Sequence, residues 1–147
     1  QRILPEELSA IKAVYGNPAD ANHLFSKDEM NNKIDLHHLR ALRAQQMYRY
    51  YLDKIENTPG YREQLITEIR HTWEHDDDTR KENGYRAKRW SDMKVTGNYI
   101  LRGNNRKLAK MHGLPMKYDR LALLAVSIFH LSHWRHDVTV ANYLLAV

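Results

Sequence analysis

The stretch Leu121–Phe129 constrains this chain more than any other, because all nine of its residues are apolar except Ser127. A membrane helix needs roughly 20 such residues, so no membrane span is expected here. A helix through this stretch would be apolar on every side. That places it at the centre of a domain, with other elements wrapped around it.

The rest of the chain reads as helix. Apolar residues recur every three or four positions, and only Val138–Val140 alternates briefly with a polar residue. Pro5, Glu6 and Glu7 suit the start of a first helix, and Gly16 suits its end. Ser26 and Glu29 have capping-box spacing for a second helix. Asn31-Asn32 interrupts that helix, and Asp35 offers a new start. Its apolar side runs through Leu36, Leu39, Leu42, Met47, Tyr50 or Tyr51, and Ile55. Thr58 and Pro59 predict the N-cap and first residue of a third helix, which carries Leu65, Ile66, Ile69 and Trp73 and stops at Asn83-Gly84. Helices about 35–56 and 59–83 should pair as a hairpin, because the connection is short.

A shorter helix is expected over Tyr85–Met93. Another should run from about Asn105 to His112, with Gly113 as its left-handed terminator, followed by the central helix from about Met116 to His133. Thr139–Ala146 reads as a last helix, with strand as the alternative, and the apolar end Tyr143–Val147 is expected to dock on the core. The predicted fold is all-α: one compact domain over 1–147, a bundle of about six or seven helices.

The composition removes several chemistries. The 147 residues include no Cys, so a disulfide scaffold, a thiolate metal site and a Cys nucleophile are excluded. Arg2-Ile3-Leu4 leads directly into Pro5-Glu6-Glu7 without an apolar run, so no secretory leader is expected and the protein reads as cytoplasmic. No glycine-rich phosphate loop, nucleophile elbow or His-Glu-x-x-His zinc motif occurs, and no cofactor is implied.

Charge is distributed unevenly. The net charge is +5, but residues 86–120 hold ten basic and two acidic side chains, while the other 112 residues sum to −3. Tyr85, Trp90, Tyr99 and Tyr118 interleave with the cations, and Asn98, Asn104 and Asn105 add amides. Cations neutralise phosphates, and open aromatic rings stack on unpaired bases. The reading is a non-catalytic binding or regulatory protein that contacts nucleic acid, or another polyanion. The residues expected to carry it are Arg86, Lys88, Arg89, Trp90, Lys94, Arg102, Arg106, Lys107 and Lys110. A protein partner or a homodimer is the bland alternative, with Glu74–Asp78 as an acidic run that could meet the basic segment.

Within this segment, Ala109, Gly113 and Leu114 have the spacing of a helix-turn-helix. His112 and Asp119 stand where that motif wants apolar residues, and its second helix would be the apolar one.

The nine histidines raise enzymatic alternatives. His71 and His75 lie four apart on one helical face, with Asp76 next, and His130, His133, His136 and Asp137 form a second group. This outline resembles metal phosphohydrolases of the HD class, which implies a metal-dependent hydrolase. It departs from them in the polar surroundings of His75-Asp76. Arg70, four residues and His75 also resemble the active-site spacing of HEPN-type ribonucleases, which are helical. There the His would act on the ribose hydroxyl and the Arg on the phosphate. Equally, His71 and His75 can be polar positions on a helix edge, and His130 and His133 can bond to backbone or carboxylate neighbours. Nine imidazoles predict a net charge that climbs steeply below about pH 6.

Overall fold

A computed structural model describes residues 2–15, 35–75 and 89–146. Gly16, the Ser26–Glu29 capping box, Asn31-Asn32 and the Asn83-Gly84 stop lie outside them. The described elements are mostly helical, as the periodicity predicts.

Helix α1 spans Pro5–Tyr15. Its Glu7 carboxylate accepts the Leu4 N–H at 3.0 Å, closing the first turn, and also pairs with Arg43. Arg43 belongs to α2, Leu36–Asn57, whose start is capped where Asp35 Oδ1 accepts the His38 N–H at 2.9 Å. That cap satisfies a donor which the first turn leaves without an intrahelical partner. The predicted second start at Asp35 is therefore the observed one.

The core side of α2 is offset from the expected leucine stripe. Leu36, Leu39 and Leu42 are exposed, and Ala41, Ala44, Met47, Tyr48 and Tyr51 are buried. Two alanines let the helix approach its neighbour closely, and no leucine would fit there without displacing it.

Thr58 does not cap the next helix. Its N–H goes back to Lys54 O at 3.0 Å, finishing α2, and Gly60 makes the turn at φ +77°. Helix α3, Tyr61–His75, then buries Leu65, Ile69 and Trp73. Of the predicted Tyr85–Met93 helix, the described part is a single 3-10 turn, Trp90–Asp92.

The periodicity missed a small sheet. Strands β1, Asn98–Ile100, and β2, Lys117–Asp119, pair antiparallel, with Tyr99 opposite Tyr118. Three residues per strand are too few to show a period of two in sequence. Helix α4, Gly103–Met111, lies between them, and Gly113 at φ +64° ends it as predicted.

Helix α5 starts at Arg120, later than the expected Met116, because β2 occupies Lys117–Asp119. Its cap is Asp119, whose Oδ1 accepts the N–H groups of Leu121 and Ala122 at 2.9 and 3.0 Å. Every residue from Leu121 to Ser127 is buried. Each such leucine contributes about 2 kcal/mol of burial. Ser127, the polar member, donates to Leu123 O at 2.7 Å and meets Thr139 Oγ1 at 2.5 Å. Helix α5 packs against α2, α3 and α6, so the apolar stretch is central. Helix α6, His136–Thr139, runs into a π-helical turn, Val140–Leu144. That turn rests on α2, where Gln45 donates to Tyr143 O and Ala146 O at 3.0 Å each. The strand alternative for this segment is not what forms. Among the described residues, no helix is long and apolar enough to cross a membrane.

Candidate nucleic-acid interface

The basic segment is built as a strand–helix–strand unit whose two ends leave the body side by side. Arg120 N–H donates to Gly97 O at 3.0 Å at the base, and Leu101 N–H donates to Met116 O at 3.0 Å beyond the strands. Three buried residues fasten the unit to the core: Leu101 before α4, Ala109 within it and Tyr118 on β2. Tyr118 packs edge-on to Tyr48, 5.4 Å between ring centres, and the Tyr48 hydroxyl accepts the Asp119 N–H at 2.8 Å. Burial raises the Tyr48 hydroxyl to about 12, so it stays protonated.

With Ala109 turned inward, the opposite side of α4 faces out. Arg106 and Lys110 lie four apart with Lys107 beside them, Arg102 precedes the helix as its N-cap, and all four are exposed. Residues Met93–Tyr118 contain six Lys or Arg and no Asp or Glu. None of these six makes an ion pair with a described carboxylate. Elsewhere the arginines are largely matched: Arg2 with Glu68, Arg43 with Glu7, Arg62 with Asp119, Arg70 with Glu74 and Arg135 with Asp137. Like charges on one helix face repel one another by a few tenths of a kcal/mol per pair. An anion laid across the face would relieve that repulsion.

The other predicted contact residues fall differently. Arg89 is exposed but sits 3.6 Å from Asp92, so its charge is partly compensated. Lys94 is exposed. Trp90 is half-buried against Trp73, 6.3 Å between ring centres, and Trp73 also meets Trp134 edge-on at 5.0 Å. Tyr118 is buried and Tyr99 half-buried. The interleaved aromatics thus serve packing more than they offer open rings. Arg86, Lys88 and Tyr85 lie outside the described residues. Ile100 and Met111 are the apolar exceptions, 62% and 72% exposed.

The helix-turn-helix suggested by the spacing around Gly113 does not form. The helix after Gly113 begins only at Arg120, beyond β2, and its face is buried. Asp119, the residue that disagrees with the motif, caps that helix instead.

The first histidine group is held within its own helix, whereas in the second the buried Nε2 atoms of His133 and His136 have no hydrogen-bond partner among the described residues. His71 and His75 stack at 4.0 Å, the His75 Nδ1 lies 2.8 Å from His71 O, and Arg70 is engaged by Glu74 at 2.9 Å. Asp76 lies outside the described residues. No three described His, Asp or Glu side chains gather as metal ligands.

His130 is buried, and its Nε2 lies 3.0 Å from the Tyr51 hydroxyl, not from a backbone or carboxylate neighbour. Burial, reinforced by Arg43 and Arg2, lowers its pKa to about 4. Burial with Arg120 nearby does the same to His136, also to about 4. Burial, then Arg40 and Arg135, lowers His133. These imidazoles stay neutral where free histidine charges, so the predicted climb in charge below pH 6 is smaller than nine histidines imply. Asp137 sits in the first turn of α6 and pairs with Arg135 at 2.6 Å.

No protein-family model matches the chain, and no curated protein and no solved structure matches it.

Proposed function

We propose that this protein binds nucleic acid without catalysing a reaction on it, through the outer side of α4 and its flanks. One observation carries the reading: three exposed cations of α4, Arg106, Lys107 and Lys110, and Arg102 just before the helix have no carboxylate partner among the described residues. Cations of that kind displace condensed counterions from a phosphate backbone, which makes binding steeply dependent on salt.

Fluorescence anisotropy on mixed-sequence DNA and RNA, single- and double-stranded, across a salt series tests it. Binding at low salt that weakens linearly in log–log form is expected. Replacing Arg106 and Lys107 by Ala should weaken it about tenfold, while Arg70→Ala, on a remote helix, should not change it. Absence of binding at low salt, or a flat salt response, overturns the reading.

A further inference from the structure

We infer that the ligand is duplex DNA and that α4 enters its major groove. This rests on the nucleic-acid reading above and narrows it.

The argument begins with what the face lacks. Single-strand binders hold successive bases on open aromatic rings. In the strand–helix–strand unit Tyr118 is 4% exposed, and it and Tyr99 are cross-strand partners on the side of the ribbon that faces the core. Trp90 is turned against Trp73. The outer side of α4 carries guanidinium, ammonium and amide groups and no ring.

Those groups suit base edges and phosphates in a groove. Asn104 is exposed in the first turn of α4, and Arg102 is exposed just before it as the N-cap; Arg106, two residues past Asn104, points to another side of the helix. An Asn amide matches the adenine edge, and an Arg fork matches guanine O6 and N7. Recognition helices read base edges with residues near their N-terminal end, as this placement would. Lys107 and Lys110 extend the cationic side toward the other end, where they would meet phosphates.

Size agrees. A helix with its side chains is about 10–12 Å across, and the B-form major groove is about 12 Å wide. At nine residues, α4 is about 14 Å long, short enough to seat without striking the far wall of the groove. The A-form major groove of duplex RNA is too deep and narrow for side chains to read. Both ends of α4 are tied down, by Leu101 and the strand pair on one side and by Gly113 and β2 on the other, so the helix is presented in a fixed pose.

The test compares one mixed sequence as duplex DNA, single-stranded DNA and duplex RNA, with methyl green as a major-groove competitor and netropsin as a minor-groove one. Duplex DNA should bind tightest, methyl green should displace the protein and netropsin should not. Replacing Lys107 and Lys110 by Ala should lower the salt slope by about two. All the exchanged residues are exposed, and unchanged circular dichroism confirms the fold. A preference for single strands or duplex RNA overturns the inference while leaving the nucleic-acid reading in place. So does displacement by netropsin alone. Loss of all salt-sensitive binding overturns both.

Discussion

The Tyr51 hydroxyl and His130 Nε2 lie 3.0 Å apart in the interior, joining α2 to the end of α5. Burial raises the Tyr51 pKa and lowers that of His130, so a protonated phenol and a neutral ring share the hydrogen bond. Both helices are thereby fixed by a bond that depends on one protonation state.

Acid should therefore destabilise the fold well before the carboxylates titrate. The unfolded chain takes a proton on His130 near pH 6.5, whereas the folded one resists until about 4. Stability is full above the higher value and is lost as pH falls toward the lower one, by up to about 3 kcal/mol from this residue. His136 acts in the same direction. Urea unfolding at about pH 7 and about pH 5 should show the fall, and His130→Gln should flatten it. An unchanged midpoint across that range would contradict the assignment of a neutral His130.

Asp119 closes α5 with two N–H bonds and also accepts from Arg62 at 2.9 Å. Asp119→Ala should cost about 1–2 kcal/mol, mostly through the cap. Asp119→Asn keeps an acceptor for the cap and loses only a partly buried ion pair, so a smaller cost of about 0.5–1 kcal/mol is expected. Thermal unfolding of the two variants side by side separates the roles, and equal losses would show that the ion pair dominates.

Ser127 is the one hydroxyl in the apolar stretch, and it is bonded to Thr139 in α6. Thr139→Val should cost about 1–2 kcal/mol, because Ser127 loses a partner and a valine methyl meets its oxygen. In the double variant with Ser127→Ala both buried hydroxyls are gone, and much of that loss should be regained. Additive losses in the double-mutant cycle would mean the two do not interact.

Gly113 sits at φ +64° with open space where a Cβ would go. Gly113→Ala should therefore destabilise by about 1 kcal/mol through backbone strain alone, without any clash. A loss several times larger, read by chemical denaturation, would point to crowding that the geometry does not show.

The helical class was legible because a period of about 3.6 survives in every long element, and Leu121–Ser127 announced its own burial. Asp35 and Gly113 were readable as punctuation, since cap chemistry is local. Thr58 was not: a Thr-Pro pair fits both an ending and a beginning, and only the fold decides. The strands at Asn98–Ile100 and Lys117–Asp119 left no pattern, because their pairing partners are 17 to 21 positions apart and the ladder is only three rungs long. The offset of α2 was hidden for a similar reason. Leucine spacing alone cannot show that alanines face the neighbour. For the candidate site, the charge imbalance was visible in the composition. The inward turn of the aromatics was not, because Tyr and Trp serve both stacking and packing.

The side-by-side exit of β1 and β2 gives α4 the topology of a removable cassette. Its two ends are next to each other, so the intervening residues can be lengthened, shortened or exchanged without re-routing the chain through the core. Only three anchors, Leu101, Ala109 and Tyr118, would have to be carried across. The body can thus stay constant while the exposed face varies, and a change of that surface need not involve a change of fold.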